Sequence, residues 1–478
     1  MKSLIAGKWV NAENGETIDV INPATNEVID TIPSLTKSDI KKAIDAAYEA
    51  QKKWAQTSIV ERCEILNRFT VLVEKNKDIL AKLLSDETGK PIKEAQNEIA
   101  NIQIGVPAYI EKVKQDYGSL IPRGTEKGQE NTIQYTVSEP LGVVVAIIPF
   151  NFPSDIFINK VPPALLMGNS VILKPACVNP LTLSKYVEIL VAAGVPDGVI
   201  SVVHGRGENV GRELTSNEKV ALVTLTGSTE AGIDAAKRAL DHCGHISLEL
   251  GGNDAFIICA DGDLDLAVEE TVWGRLYNTG QVCCASKRFL VERSVKDEFI
   301  NKLIAKIQTL KQGMPSDPTT DIGCLISENA AIEVENQVNR TIEAGAKLVI
   351  GGKRNGAFYE PTIIDDVTKD MDVAIDMEIF GPVIPIIAFD TIEEAIEIAN
   401  QSKYGLSAGI ITKDINKAIK TGEKIESGGF VINGASFFRS FEQPFGGWKY
   451  SGIGNEGIMT TLKEMSRLKT IILKNITK

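Results

Sequence analysis

The sequence predicts an α/β protein with two doubly wound parallel-sheet domains and a small β unit beside them. Three observations carry this. Short, wholly apolar runs of strand length alternate with helical stretches, the pattern of buried parallel strands joined by covering helices. The alternation breaks off at Gly251-Gly252 and then begins again. Two further segments, 132–138 and 469–474, alternate polar and apolar residues outside both series. A chain of 478 residues is also too long for one ordinary core.

In chain order, Ile40, Ala43, Ile44, Ala47 and Ala50 recur at helical spacing over 36–55, with Thr36 or Ser38 as the cap. A second amphipathic helix is expected over 62–86, with Ile65, Leu66, Phe69, Val71 and Leu72 on its apolar side. Buried strands follow at 143–148, 170–173, 200–203 and 221–225, with helices between them at 157–167, 181–193, 208–215 and 230–239. Pro162 and Pro163 either kink the first of these helices or confine it to a short start. After residue 252, strands are expected at 255–259, 289–291, 383–388 and 406–411, and helices at 264–276, 296–310, 392–400 and 415–424. The segments 132–138 and 469–474 lie outside both sheets, free to pair with each other or with another subunit. The units expected are therefore 1–120 with 141–248, then 249–450, with 121–140 and 451–478 bridging.

Composition excludes several classes of function. Apolar residues at 43% and charged residues at 24% are ordinary for a globular protein, and a net charge of −12 argues against a nucleic-acid binder. Seven cysteines, two of them adjacent, do not make a disulfide framework in a chain this long; free thiols in a reducing compartment, the cytoplasm, are expected. The longest apolar stretch, 142–150, is far short of the ~20 residues of a membrane span. A small molecule is the expected partner.

Several stretches carry residue types suited to carbonyl and phosphate chemistry. In Asn278-Thr-Gly-Gln-Val-Cys283-Cys284-Ala285 a thiol follows a Gly-Gln turn at the end of a predicted helix. Cysteine is the best side-chain nucleophile for a carbonyl, although most cysteines are inert small hydrophobes. In Leu248-Glu249-Leu-Gly-Gly-Asn253 the carboxylate either caps a turn or, facing the thiol, activates water against a thioester. In Pro149-Phe-Asn151-Phe-Pro153 the amide either closes a turn or donates to an oxygen that becomes an oxyanion. Thr226-Gly227-Ser228-Thr229-Glu230 follows a predicted strand and opens a predicted helix, so free N–H groups and the Ser228 hydroxyl are placed for a pyrophosphate. Gly205-Arg206-Gly207-Glu-Asn-Val-Gly211 misses the dinucleotide fingerprint by one residue. Lys174 ends another strand, either as a solubilising charge or within reach of a ribose hydroxyl.

Taken together, Pro149-Phe-Asn-Phe-Pro153, Lys174-Pro175, Thr226-Gly-Ser-Thr-Glu230, Glu249-Leu-Gly-Gly252, Gly280-Gln-Val-Cys283, Glu378-Ile-Phe380-Gly-Pro382 and Pro444-Phe-Gly-Gly447 stand in the order they have in the aldehyde dehydrogenase superfamily. The chain resembles that family over nearly its whole length. The resemblance implies NAD(P)-dependent, non-acylating oxidation of an aldehyde to its acid. It implies Cys283 as nucleophile, Glu249 as the base of deacylation, and the Asn151 amide with the Cys283 N–H as oxyanion hole. Lys174 and Cys177 would face the adenosine ribose, Gly227 and Ser228 the pyrophosphate, and Glu378 the nicotinamide ribose, with Phe380 and Pro149 beside the cofactor. Phe150, Asn433 and Arg439 fall on the substrate side. The resemblance makes 1–120 with 141–248 the Rossmann-like cofactor domain and 249–450 the catalytic domain. It makes the bridging strands the means of forming a homodimer or homotetramer.

Three positions depart from the family's usual pattern. Phe150 stands where tryptophan is frequent, Cys324 where proline is common, and Cys177 where many NAD users have glutamate. The last leads to an expectation that NADP is accepted and preferred, with Arg206 reaching a 2′-phosphate alongside Lys174. Asn159 occupies the place of an arginine found in succinate-semialdehyde enzymes, which counts against a carboxylate-bearing substrate. Arg439 either pairs with an anionic group or holds its own loop. A small aliphatic, hydroxy- or semialdehyde is the expected substrate. Cys284 is expected to point away from it. Two rival readings are weaker: a CoA-acylating enzyme, which would usually lack Glu249, and a silent structural relative, which would have lost part of the Cys283, Glu249 and Asn151 set.

Overall fold

The computed structural model describes residues 1–115 and 118–475. The first series of apolar runs forms four parallel strands, and a fifth that the sequence did not announce, His245–Glu249, joins them. In space they lie in the order Ile200–Val202, Ser170–Pro175, Val143–Ile148, Val220–Thr226 and His245–Glu249. The chain order therefore reverses between Val143–Ile148 and Val220–Thr226, and in doubly wound sheets the crevice beyond the strand ends at that reversal is where ligands bind. Alternate residues of Val143–Ile148 enter cores on opposite faces: Val144, Ala146 and Ile148 join Phe69, Phe157 and Tyr186, while Val143 and Val145 join Ile40, Ile44 and Leu214. Three short antiparallel strands complete this sheet, Ser3–Ile5 and Lys8–Val10 at one edge and Gly452–Ile453 at the other. They are too short to show any alternation in sequence.

The helix Lys37–Trp54 begins at Thr36, whose side chain and backbone exchange hydrogen bonds with Asp39 in a capping box. The stretch expected as one helix over 62–86 is two, Ile59–Lys75 and Lys77–Thr88. The break falls at Asn76, whose φ of −109° and ψ of 8° are not helical and whose amide donates to the Leu72 carbonyl at 2.7 Å. The helix Pro153–Leu166 runs on through Pro162 and Pro163. An interior proline costs ~3 kcal/mol; here Phe157, Val161, Ala164, Leu165 and Leu166 are all buried in one core and offset it. Two helices not foreseen, Ile92–Ala100 and Ile102–Val113, pack against it.

The second series gives four of six parallel strands, ordered Thr362–Asp365, Val383–Phe389, Ser286–Glu292, Asp254–Ile258, Ser407–Ile411 and Gly429–Ile432; the first and last of these were not expected, and Lys347–Ile350 lies antiparallel at one edge. Beside these sheets, Thr132–Pro140 pairs antiparallel along its whole length with Ser466–Lys474, and Ser119–Ile121 joins its other side. No described helix is long and apolar enough to cross a membrane.

Candidate active site

Two cavities meet at Cys283. One, of about 420 Å³, opens at the strand-order reversal of the first sheet; Ile147, Pro149 and Phe150 line it from one strand exit, and Leu225, Gly227 and Ser228 from the other. The second, of about 350 Å³, is walled by Phe152, Asp155 and Asn159, by Trp273 and Tyr277, and by the loop carrying Phe437 and Arg439. Asn151, Thr226 and Cys283 line both. Whatever occupies the two spaces therefore meets at this thiol.

The sequence builds that junction through close backbone approaches. After the helix Leu264–Leu276 the chain turns through Asn278 and Thr279, both at positive φ, and Gly280 at φ +77°. A Cβ on Gly280 would lie 2.3 Å from the Gly381 carbonyl oxygen, so only glycine lets the Cys283 loop pack against the loop bearing Glu378 and Phe380. Asn278 ties the same turn to the first sheet, its amide donating to the Asn151 carbonyl at 2.9 Å and its N–H to Glu94 at 2.8 Å. Lys90, buried in an ion pair with Glu98, also donates to the Asn151 carbonyl, at 2.8 Å. The Asn151 backbone is thus fixed from two sides. Its side-chain amide and the Cys283 N–H have no partner among the described residues and stand ready as donors.

Charges around the thiol favour its ionised form. The Cys283 pKa is lowered to about 7, first by a hydrogen bond from the Cys284 thiol and then by the positive charges of Lys287 and Arg439, which together outweigh burial. Cys284 therefore does not turn away. It packs in the core with Leu406 and Phe445, yet lines the second cavity and supports its neighbour's thiolate. Lys287 is buried, donates to the Cys283 carbonyl and lies 3.1 Å from Glu378, whose other contact is the Gly252 N–H at 3.3 Å. Glu249 is 3% exposed, and neither of its carboxyl oxygens has a hydrogen-bond partner among the described residues. Burial, and after it the nearby charge of Glu456, push its pKa well above the usual carboxylate range. A carboxyl left unpaired this way costs stability unless it has work to do.

Other expected residues fall in different places. Phe150 faces the first cavity, edge-on to Phe380 with centroids 6.0 Å apart, and not the second. Asn433 lines neither cavity; its side-chain oxygen accepts from the Thr412 N–H at 3.1 Å and holds a turn of the second sheet. Lys174 lines the first cavity, 5% exposed, with no carboxylate partner and only a 3.4 Å contact to the Pro175 carbonyl. Ser228 caps the helix Thr229–Leu240, its oxygen accepting from the Ala231 N–H at 3.2 Å. Cys177 is partly buried and is not among the residues lining the crevice, its thiol donating to the Gly205 carbonyl at 3.1 Å. Arg206 is exposed at the start of the π-helical turn Gly207–Gly211, and it too is absent from the lining.

Arg439 lines the second cavity but is committed. Its Nη2 donates to Glu456 at 2.8 Å, its guanidinium lies 4.1 Å over the Phe445 ring, and Glu456 takes a second cation, Lys160, at 2.9 Å. Glu456, Lys160 and Lys287 were not legible beforehand. Lys287 stands just past the Cys283 motif but reads as an ordinary charge, Glu456 and Lys160 have no motif of their own, and the three reach the site only through packing.

A crevice at the strand-order reversal, a helix N-terminus opening onto it and a buried, unpaired lysine fit a pyrophosphate-bearing dinucleotide. A profile of the aldehyde dehydrogenase family matches residues 9–471. The chain belongs to that family. It is 40% identical over 473 residues to a lactaldehyde dehydrogenase of Methanococcus aeolicus, covering 98% of this chain and 99% of the relative. It is 38% identical over 471 residues to a 3-sulfolactaldehyde dehydrogenase of Priestia aryabhattai, covering 98% of each. The crystal structure of Staphylococcus aureus betaine aldehyde dehydrogenase in complex with NAD+ superposes with a TM-score of 0.95 at 34% identity, covering all of this chain and 95% of that one. This aldehyde dehydrogenase thus shares both the fold and the length of its relatives.

Proposed function

We propose that this enzyme oxidises a short, uncharged hydroxyaldehyde to the hydroxy acid through a thioester on Cys283. The observation that carries the proposal is the thiol at the meeting of two cavities, with two unclaimed donors and an unpaired buried carboxyl beside it. The Cys283 thiolate adds to the aldehyde carbon, and the resulting oxyanion receives hydrogen bonds from the Asn151 amide and the Cys283 N–H. When bound, the dinucleotide would supply the hydride acceptor for oxidation of this hemithioacetal to the thioester. Lys174, Ser228 and Glu378 are the residues that would hold it. Glu249 then removes a proton from water as its oxygen adds to the thioester carbon; collapse expels the Cys283 thiolate and releases the acid. The first step needs Cys283 ionised, and deacylation needs Glu249 ionised, so turnover should rise with pH through both groups.

The uncharged substrate is supported by the state of Arg439 together with the likeness to lactaldehyde dehydrogenases. With its charge opposed by Glu456, Arg439 offers an anion little. Arg439→Met should depress kcat/KM for propanal and for succinate semialdehyde alike, because it removes a charge that favours the Cys283 thiolate. Were Arg439 a substrate anchor, only the anion would suffer, by tenfold or more, since a charge-assisted hydrogen bond contributes ~1.5–3 kcal/mol. That selective loss would favour a sulfonated or carboxylated substrate, as in the Priestia relative's name.

For the cofactor we propose acceptance of NADP with a preference over NAD. Among the described residues Glu378 is the only carboxylate lining the crevice, and with cysteine at 177 Lys174 has no carboxylate hydrogen-bonded to it. Like charges ~4 Å apart cost up to a few kcal/mol near a surface, so Cys177→Glu should move kcat/KM towards NAD. A wild type favouring NAD tenfold, or a variant unchanged for both, rules the preference out. Self-association would use the three-stranded sheet, where Leu120, Leu468 and Ile472 stand exposed, and the free cysteines fit a reducing cytoplasm.

A further inference from the structure

Asp155 has no part in the steps above, yet it stands on the wall of the substrate cavity, half-buried, in the first turn of the helix Pro153–Leu166. Its Oδ1 accepts from the Asn101 amide at 2.9 Å, while its backbone carbonyl accepts from the Asn159 amide at 3.0 Å. Asn159 is further tied by the Tyr109 hydroxyl, which donates to its Oδ1 at 3.0 Å. The neighbouring amides are thus spent within the wall. Asp155 Oδ2 is left as an acceptor with no partner among the described residues.

The charged groups around it do not satisfy it. Glu98, from the helix Ile92–Ala100, is bound by Lys90 and by the Ser154 N–H at 2.8 Å. Lys90 is fully engaged between Glu98 and the Asn151 carbonyl, and Arg439 is engaged by Glu456. Burial, and next the Glu98 charge, raise the Asp155 carboxyl to about 7 against the pull of Asn101, Lys90 and Arg439. The rings of Phe152, Trp273, Tyr277 and Phe437 line the same cavity and offer apolar faces. A polar acceptor set among aromatic rings suits a chain that carries both carbon and hydroxyl groups.

We propose that Asp155 is a specificity-determining residue: its free carboxyl oxygen accepts a hydrogen bond from a hydroxyl on the aldehyde's carbon chain and disfavours aldehydes carrying a carboxylate, sulfonate or phosphate. This rests on the reading of the Cys283 cavity as the aldehyde site. A buried acceptor built for a substrate hydroxyl is left unpaired by an analogue lacking it, which is why such sites discriminate more sharply than apolar pockets.

The test is steady-state kinetics on propanal, lactaldehyde, glyceraldehyde and succinate semialdehyde with wild type, Asp155→Leu and Asp155→Asn. Asp155→Leu should raise KM for glyceraldehyde by ~10-fold or more and leave propanal within about twofold, the signature of one lost hydrogen bond. Asp155→Asn keeps an acceptor for Asn101 and should fold even if the leucine variant does not. It should lose less on glyceraldehyde and gain ~10-fold in kcat/KM on succinate semialdehyde, as removal of a like charge allows. Equal changes for propanal and glyceraldehyde, or no gain on the semialdehyde in Asp155→Asn, overturn the assignment. Wild-type turnover of propanal separates the two levels: its absence would sink the aldehyde-site reading itself, whereas turnover indifferent to Asp155 would sink only this residue's role.

Discussion

Cys283→Ala is expected to abolish aldehyde oxidation, by on the order of 10⁴-fold or more, as when a nucleophile acting as a unit with its base is removed. No other side chain at the junction can replace it: Asn151 and Thr226 are poor nucleophiles, and the Cys284 thiol is packed in the core with Leu406 and Phe445, where burial alone raises its pKa once Cys283 is gone. The fold should survive, because one sulfur atom at the edge of two cavities carries little packing. Cofactor affinity, read by fluorescence titration, should change little, since the rest of the crevice is intact. Cys284→Ala should behave differently. It removes the donor that does most to lower the Cys283 pKa, so the ascending limb of kcat/KM, expected near pH 7, should move upward while turnover at high pH persists. Activity lost at Cys284 and kept at Cys283 would reverse the assignment.

Glu249→Gln is expected to separate the two half-reactions. The substitution keeps shape, and because neither oxygen of Glu249 has a hydrogen-bond partner it breaks no contact. Thiolate addition and oxidation do not need this base, so mixing with aldehyde and oxidised cofactor should still give a burst of reduced cofactor. Steady-state turnover should fall ~10²-fold or more, as for loss of a general base. The pH profile gives an independent check. Burial raises the Glu249 pKa, so the active, ionised form grows as pH rises, and that limb should disappear in the glutamine variant. Loss of the burst together with turnover would mean that Glu249 also activates the thiol.

The strands that frame the site were legible because a buried parallel strand is apolar on both faces, as Val143–Ile148 and Ser170–Pro175 are. Cys283, Glu249 and Asn151 stand out in the sequence because each lies in a motif rich in glycine or proline, Asn151 and Glu249 near strand ends and Cys283 in the turn after a helix. The wall of the substrate cavity was not. Asp155 stands four residues beyond Asn151 and reads as an ordinary first-turn acid of a helix. Glu456 faces Arg439 across a loop whose course no periodicity reveals. Phe150 and Asn433 are expected on the substrate side, but one follows its strand into the cavity at the strand-order reversal and the other closes a turn. Proximity along the chain does not fix the direction a side chain takes where a strand ends.

The covalent step is tested most directly by trapping it. Glu249→Gln mixed with propanal and oxidised cofactor, quenched in acid within the burst, should gain the mass of one propanoyl group per chain. Proteolysis should locate that group on Cys283, and omission of the cofactor should abolish it. A full burst with Cys283 unmodified, or the acyl group on another residue, would contradict the thioester at this thiol.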